Sequence, residues 1–382
     1  MSQQSFVELT QSFEKWFRQH SRVVRKDLDL KHHNMSISTF LFMRATFYGF
    51  VKRYYENLQD LSGAPIVLAV GDLHVENFGS WRDAEGRLCW GCNDVDETFP
   101  LPYNLDLVRL ALSCKLAAAE EHLTVRPKEA CQAILEGYME TMAKGGRGFV
   151  LGEEHLELRS MALNKLRIPA AFWTKLDGQL TPSAVPPDAL AALESKMPPG
   201  KFEYKFGQRT AGEGSLGRPR FVAIAECNGG LIAREAKVAL PSACVWAGLT
   251  TDEKIYYQDL VDNAYRSKDP YVGVHGGWIV RRLSPDCSRI ELTDLPKNAD
   301  EHLLLRAMGA ETANIHLGCT PGCAEKVLAD LKSRDPKWLI KAVKRMAKVT
   351  RKDQKEWAQY HNARVEEGAL RRKAAAKKAK KK

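Results

Sequence analysis

The sequence predicts an α+β fold with two lobes, one large and mostly helical, the other a small antiparallel sheet. Two apolar runs separated by acidic loops lie within residues 64–98, and a glycine-rich hairpin pattern lies within 211–238. Helical periodicity fills most of the sequence on either side. With 382 residues, the chain is long enough for two lobes that each bury a core.

The large lobe is predicted to contain a strand followed by a polar loop. The apolar run at 64–70 is typical of a buried strand and ends at Gly71. GDLHVENFG begins there, and a second apolar run at 87–92 leads into the acidic segment CNDVDET at 92–98. Carboxylate and amide oxygens of this density suit Mg²⁺ and the phosphates that it carries.

The spacing in the first loop matches that of a phosphotransfer loop. Four residues separate Asp72 from Asn77, as in the catalytic loop of protein kinases. We therefore predict that Asp72 is the general base for an attacking hydroxyl. Asn77 and Asp94 are predicted to hold Mg²⁺, with Asp96 as a further ligand. His74 is expected to support the site. Each residue alone is also a common turn former.

A glycine-rich motif of G-x-G-x-x-G spacing lies within AGEGSLG at 211–217. A dinucleotide-binding loop would open a helix, but here a strand, an Asn-Gly hairpin and a second strand follow. This order is that of the loop that covers the phosphates in kinases. We predict that the nucleotide contacts in this loop come from Gly212, Gly214, Ser215 and Gly217.

Ser215 does not belong to a nucleophile elbow. That motif requires glycine two residues before the serine, and Glu213 occupies this position.

A kinase-like site needs a cation on the strand after the glycine-rich loop. Arg234 and Lys237 are the candidates, and in a regular strand they point to opposite faces. The sequence does not choose between them, so both are predicted to bind nucleotide. A helix predicted over 252–265 follows, where Glu253 is the nearest acid to pair with the strand cation.

Together, GDLHVENFG, NDVDETFPLPYNLDLVRLALS, GEGSLG and REA resemble the bacterial family known as domain of unknown function 2252, over roughly residues 40–318. That family is similar to the aminoglycoside and choline phosphotransferases of the protein-kinase-like superfamily. The resemblance implies that Asp72 is catalytic, that Asn77 and Asp94 bind metal, and that Asp106 supports the catalytic loop. It also implies ATP and Mg²⁺ as cofactors. Arg234 departs from the family's K-E-A pattern, which changes the reach and geometry of the cation.

The order of these parts predicts a circularly permuted kinase-like fold, because the catalytic loop precedes the glycine-rich loop. Strands are expected at 278–285 and 289–295, and an amphipathic helix at 302–318. The phosphotransferases have a similar helix, which ends in Leu-His, just before their catalytic loop. Permutation is tolerable where chain ends lie close together. We expect the following units: N-terminal helices over 1–60, a large lobe over 61–200, a nucleotide-binding β lobe over 201–298, C-terminal helices over 299–370 and a disordered basic tail over 371–382.

The net charge of +10 is concentrated in that tail, whose twelve residues include eight Lys or Arg and no acid. The rest of the chain then carries only +2. We expect a solvated end, with contact to nucleic acid or acidic lipid as the alternative.

Other features of the sequence predict a cytoplasmic protein without a membrane span. There is no apolar run of 18 residues and no signal-peptide pattern, and nine cysteines without such a signal favour a reducing compartment. Cys89 and Cys92 are expected to be packing residues, with a four-cysteine zinc site that they form with Cys319 and Cys323 as the alternative.

The sequence thus favours ATP- and Mg²⁺-dependent transfer of a phosphoryl group to an unidentified hydroxyl-bearing acceptor. Two alternatives stay open. In one, the nucleotide binds in the reverse direction and AMP is transferred. In the other, the chain is a nucleotide-binding pseudoenzyme that regulates a partner.

Overall fold

The computed structural model of the chain describes residues 4–152, 154–162, 168–287, 292, 295 and 300–379, with side chains described up to residue 371. The predicted strand at 289–295 lies outside these residues, apart from the isolated positions 292 and 295.

Helices form most of the described chain, and local sequence signals set several of their ends. The first helix begins with a capping box, in which the Ser5 hydroxyl accepts from the Glu8 N–H and the Glu8 carboxylate accepts from the Ser5 N–H. The helices are α1 (Phe6–His20), α2 (Arg25–Ile37), α3 (Thr39–Ala45), α4 (Phe47–Asn57), α5 (Tyr103–Ala119), α6 (Pro127–Lys144), α7 (Leu156–Ala162), α8 (Pro169–Gly178), α9 (Pro187–Glu194), α10 (Ala243–Trp246), α11 (Tyr257–Asn263), α12 (Glu301–Cys319), α13 (Cys323–Ser333) and α14 (Trp338–Ala379).

Within the described residues, the strands pair in three antiparallel sheets. They are β1 (Ile66–Ala69), β2 (Phe78–Arg82), β3 (Leu88–Cys92), β4 (Phe99–Pro102), β5 (Phe149–Val150), β6 (Leu180–Pro182), β7 (Lys205–Arg209), β8 (Arg220–Cys227), β9 (Gly230–Val238), β10 (Gly273–His275) and β11 (Trp278–Leu283). The largest sheet has the order β10-β11-β9-β8-β7-β6, and the smaller ones pair β1 with β4 and β2-β3-β5. The predicted α+β class with antiparallel sheets is confirmed.

The two faces of the six-stranded sheet have different environments. On one face, an apolar cluster that includes Phe221, Ala236 and Trp278 packs against α9. On the other face, Val222 and Ala233 pack with α8, while the charged end of the same face stays open to a cleft. The sheet is therefore covered by helices except where it faces the acidic loops.

The main core joins the N-terminal helices, β1 and the helices α5, α6, α12 and α14. Helix α5 is buried along most of its length, including the polar residues Asp106 and Arg109. Helices α6 and α12 cross at glycines, since a Cβ on Gly309 would lie 2.1 Å from the carbonyl oxygen of Ile134. Within the described ranges, no helix has the length and apolar character needed to span a membrane.

Two regions differ from the sequence-based expectation. The stretch 180–199 has the proline-rich composition of a connector between lobes, but it contains β6 and α9, because its apolar residues Ala189, Ala192 and Leu193 are buried against the large sheet. Helix α14 runs to Ala379, so the basic segment from residue 371, for which disorder is predicted, begins inside a helix.

We expect the substitution Gly309→Ala to destabilise the protein by at least about 2 kcal/mol, because the added methyl group would meet backbone atoms of α6. Gly178→Ala, at the end of α8, is the control. Among the described residues, no atom lies within 4 Å of a Cβ placed there, so the effect of this substitution on stability should stay within about 1 kcal/mol and be favourable. Urea unfolding of both variants measures the difference. Equal unfolding midpoints for Gly309→Ala and wild type would contradict this packing.

Candidate functional site

The glycine-rich loop lies directly against the loop that contains Asp72. A Cβ on Gly214 would lie 3.0 Å from Asp72 Oδ2 and 3.3 Å from the Arg44 carbonyl oxygen. Gly212 and Gly217 adopt φ angles of +77° and +97°, a conformation that favours glycine. Two segments that are distant in sequence therefore form opposite walls of one cleft.

The glycine-rich loop separates two cavities, both of which are lined by Asp94 and Gly212. The large cavity has a volume of about 290 Å³ and lies between the six-stranded sheet, α8 and the acidic loops. The small cavity has a volume of about 40 Å³ and lies beside Asp72 and Asn77.

Basic side chains outnumber acidic ones around the large cavity. The acidic residues in its lining are Glu76, Asp94 and Asp269. The basic residues are Lys175, Arg209, Arg220, Arg266, Lys268, Arg281 and Arg282. This excess of positive charge suits an anionic ligand.

Asp72 is held by Arg109, a residue that the sequence did not single out. Arg109 Nε donates to Asp72 Oδ1 at 3.0 Å, and its Nη2 contacts the same oxygen and donates to the Met43 carbonyl at 2.8 Å. The guanidinium also lies over the rings of Phe47 and Phe50. Burial raises the pKa of Asp72, and Arg109 only partly offsets this effect. The second carboxylate oxygen faces Gly214.

Asp106 fixes the backbone that leads into this loop. Its two carboxylate oxygens accept from the N–H groups of Val70 at 2.8 Å and Gly71 at 2.9 Å. His316 Nε2 lies 3.1 Å from Asp106 Oδ2, and His316 Nδ1 lies 2.8 Å from the Tyr138 hydroxyl. The supporting residue predicted from the sequence thus joins the start of the loop to the end of α12.

Asn77 connects the two acidic loops. Its side-chain nitrogen donates to the carbonyl oxygens of Asp72 and of Asp94, the latter at 3.4 Å. His74 caps the short 3₁₀ turn Val75–Asn77, since its Nδ1 accepts from the Glu76 N–H at 3.2 Å. Because the Asn77 nitrogen makes both contacts, the amide oxygen is the atom left to ligate a cation.

Asp94 and Asp96 both contact Lys237 but differ in exposure. Lys237 Nζ lies 3.5 Å from Asp94 Oδ1 and also contacts Asp96 Oδ2. The Asp94 side chain is 41 % exposed, whereas that of Asp96 is 10 % exposed. Burial would raise the pKa of Asp94, but Lys237 and nearby arginines hold it below its usual range. Burial, with the neighbouring carboxylate of Asp94, raises the pKa of Asp96. Asp94 is thus the ionised oxygen donor that faces the cleft.

The structure distinguishes the two strand cations. Lys237 points to the cleft, where it meets the acidic loop. Arg234 points to the opposite face of β9, where its Nε donates to the Lys196 carbonyl at 2.7 Å and its guanidinium lies over the Tyr271 ring. The nucleotide contact expected of Arg234 is therefore not supported by its position, because strand alternation turns it away from the cleft.

Glu253 also lies away from the cleft. Its carboxylate pairs with His20 Nε2 at 3.0 Å and its side chain is 58 % exposed. The helix expected at 252–265 begins later, at Tyr257, which leaves Glu253 in the irregular segment before the helix. The acids that pair with Lys237 are instead Asp94 and Asp96.

Glu235 is the centre of a buried arginine cluster that the sequence did not predict. Its carboxylate is bound by three guanidinium groups at 2.8 to 2.9 Å, from Arg209, Arg220 and Arg281. Burial would raise the pKa of Glu235, but the arginines hold it well below the usual range. Strand register brings these residues together, so no local sequence signal identifies the cluster.

Further ion pairs and hydrogen bonds join the glycine-rich loop to its surroundings. Arg220 Nη2 donates to the Ser215 hydroxyl at 2.6 Å. Arg218 Nη2 donates to Glu97 Oε1 at 2.9 Å, and the other oxygen of Glu97 accepts from the Ala243 N–H at 2.7 Å. Ser215 is thus a supporting residue of the loop, and its hydroxyl accepts from an arginine of the cluster.

Helix α2 also binds this loop from the side opposite the sheet. Lys31 Nζ donates to the Gly214 carbonyl at 3.1 Å, and Asn34 Nδ2 donates to the Glu213 carboxylate at 3.0 and 3.1 Å. The Val24 N–H, just before the helix, donates to the Gly217 carbonyl at 2.9 Å. The loop is therefore fixed on both sides.

The residues present fit magnesium bound together with phosphate. Among the described residues, no group of three or more His, Cys, Asp or Glu side chains is arranged to hold a metal ion. Mg²⁺, however, usually takes one or two carboxylates together with substrate phosphates and water. The exposed carboxylate of Asp94 and the amide oxygen of Asn77 are the donors that suit it.

The cysteine pairs do not form disulfides. Cys89 and Cys92 are buried in β3, where their thiols lie near the Asp83 carboxylate and the Asp94 carbonyl oxygen. Burial raises the pKa of both thiols, which disfavours the thiolate form that zinc requires.

Residues 22–161 match a protein family described as "Uncharacterized protein conserved in bacteria", domain of unknown function 2252. The match supports the predicted resemblance to this family over that stretch, which contains both acidic loops and Asp106 but not the glycine-rich loop. Comparison with curated proteins and with solved structures gave no match.

We expect Glu235→Gln to destabilise the protein by about 3–5 kcal/mol, because it removes the buried negative charge that pairs with three guanidinium groups, of which that of Arg220 is itself buried. The pKa of Glu235 is lowered in the folded protein. The ionised carboxylate therefore stabilises the folded state at pH values above 4.5, the ordinary pKa of a glutamate, and this contribution to the free energy of unfolding is lost as the pH falls below 4.5. Urea unfolding at pH 7 and pH 4 measures the difference.

The matched control is Glu226→Gln, at an exposed position near the end of β8. Its free energy of unfolding should differ from that of wild type by less than about 0.5 kcal/mol. If Glu235→Gln behaves like this control at pH 7, the cluster does not contribute as its geometry predicts.

Proposed function

We propose that the chain is a Mg²⁺- and nucleotide-dependent phosphotransferase with a kinase-like, circularly permuted arrangement, which transfers a phosphoryl group from ATP to a hydroxyl acceptor. The observation that carries the proposal is the contact between the glycine-rich loop at Gly214 and the carboxylate of Asp72. A loop that covers phosphates and a carboxylate suited to a general base then face the same reaction centre.

The basic lining of the large cavity supports binding of the ATP phosphates there. Lys237, Arg220 and Arg281 surround Asp94, and each contributes to its lowered pKa. When bound, Mg²⁺ would offset the negative charge of the phosphates, held by Asp94 and Asn77. The basic side chains would neutralise the remaining charge without covalent chemistry.

Asp72 is suited to accept the proton of the acceptor hydroxyl. Burial raises its pKa, which makes the carboxylate a stronger base, while Arg109 fixes its orientation. The acceptor oxygen would form a bond to the terminal phosphorus as its proton passes to Asp72. The bond between that phosphorus and the oxygen bridging to the β-phosphate would break, and ADP would leave with this oxygen and its electron pair.

We expect Asp72→Asn to lower ATP turnover by at least about 100-fold, because an amide cannot accept the proton. Its affinity for a non-hydrolysable ATP analogue should change little. Asp60→Asn, at an exposed residue that pairs with Arg345 on the surface, is the control and should retain full turnover. Nucleotide binding with equal turnover by wild type and Asp72→Asn would refute the catalytic role and favour the pseudoenzyme.

Nucleotidyl transfer is the second candidate, favoured by the arginine cluster around Glu235. The guanidinium groups on this face of β9 would bind the polyphosphate of ATP better than its uncharged adenine base. The nucleotide would then lie in the reverse direction, with its α-phosphate beside Asp72.

The co-products of ATP cleavage separate the two candidates without knowledge of the acceptor. We expect purified protein with Mg²⁺ and ATP to release ADP and phosphate as it slowly transfers the terminal phosphoryl group to water. Chromatography of the nucleotides measures this release. Formation of AMP and pyrophosphate instead would establish the reverse orientation, and the Asp72→Asn variant controls for contaminating enzymes.

A further inference from the structure

Lys31 is a buried basic residue of the small cavity that the phosphoryl transfer proposed above does not use. It lies in the middle of α2 and its side chain is nearly covered, with the residue 7 % exposed. Its Nζ donates to the Gly214 carbonyl oxygen at 3.1 Å. Within the part of the chain that the structure describes, this is the one hydrogen bond made by a group that carries three donors.

The two arginines that line the small cavity have carboxylate partners. Arg44 Nη1 pairs with Glu76 Oε2 at 2.6 Å, and Arg218 Nη2 pairs with Glu97 Oε1 at 2.9 Å. Among the described residues, no carboxylate lies within ion-pair distance of Lys31 Nζ. Its Nζ also lies 5.9 Å from the centre of the Tyr48 ring, a contact that compensates a buried ammonium only in part. A ligand that supplies acceptors would therefore stabilise this group.

The position of Lys31 relative to Asp72 indicates which ligand would do so. Both residues line the small cavity, and both lie against Gly214. Lys31 binds the carbonyl oxygen of Gly214, whereas the carboxylate of Asp72 faces its Cα. The group that reacts with a hydroxyl activated by Asp72 must lie in this cavity. Lys237 contacts Asp94 and Asp96 from the sheet, whereas Lys31 approaches from α2.

The protonation of Lys31 also favours a phosphoryl group as the ligand. Burial, together with the nearby Arg218, lowers the pKa of Lys31 to about 8, so the ammonium form is weakly favoured at neutral pH. A phosphoryl group would stabilise that form through charge-assisted hydrogen bonds.

We propose that Lys31 is a further catalytic residue, whose ammonium donates to the terminal phosphoryl group of ATP during its transfer, from the side opposite Lys237. This inference rests on the proposed phosphotransferase function. It assigns to α2 a direct part in stabilising the charge that develops on the transferred group. The contact with Gly214 would also keep Nζ at the edge of the cavity before the nucleotide binds.

The test compares binding of Mg²⁺ complexes of AMP, ADP and a non-hydrolysable ATP analogue to wild type and to Lys31→Met by calorimetry. Lys26→Met, at an exposed position on the same helix, is the control. We expect Lys31→Met to weaken binding of the ATP analogue roughly tenfold and to leave ADP and AMP within about twofold, because only the analogue carries the terminal phosphoryl group. Lys31→Arg should restore part of the loss.

Three outcomes would overturn the proposal. Unchanged affinity for the analogue would show that Lys31 does not touch the phosphoryl group. An equal loss for all three nucleotides would mean that Lys31 only supports the loop or that the nucleotide binds in reverse. If wild type binds none of the three, the phosphotransferase function itself fails. Thermal unfolding of Lys31→Met confirms that the variant is folded.

Discussion

Ion pairs between the six-stranded sheet and the acidic loops hold the candidate site together. Lys237 of β9 contacts Asp94 and Asp96, and Arg218, just before β8, contacts Glu97. All are buried or partly covered, so removing one partner would leave an uncompensated charge, which costs far more than the pair contributes. These ion pairs bring two segments that are more than 100 residues apart in sequence to one cleft. They also hold the sheet and the acidic loops in a fixed relative position.

Sequence reasoning succeeded where structure depends on local signals. The hairpin of β8 and β9 follows from an Asn-Gly turn between apolar runs, and the structure confirms a strand directly before this turn, at Arg220–Cys227. It failed where strand register or packing between distant segments decides which side chains reach the cleft. To choose between Arg234 and Lys237, one must know which face of β9 meets the cleft. The position of Glu253 relative to the cleft depends on where α11 begins. Arg109 and Lys31 reach the site from helices whose sequences give no sign of this role.

The two cavities differ in charge, and this difference restricts how the proposed reaction is arranged. The large cavity has an excess of basic side chains, which suits a polyphosphate. The small cavity contains most of the carboxylates, which repel phosphate unless a divalent cation or a lysine lies between them. Asp94 lines both cavities, so a cation bound there would lie where the phosphates pass from one to the other. The proposed metal requirement thus follows from electrostatics as well as from ligand type.

The attachment of the glycine-rich loop to α2 bears on how the proposed site would work. A loop that orders only around bound phosphate loses conformational entropy at each binding event. Here the bonds from Val24, Lys31 and Asn34 fix the loop during folding, and so lower the entropic cost of binding. They also leave the loop little freedom to open as a lid. A nucleotide would then have to reach the site through the large cavity, whose lining includes the sheet, α8 and the acidic loops as well as the start of the glycine-rich loop.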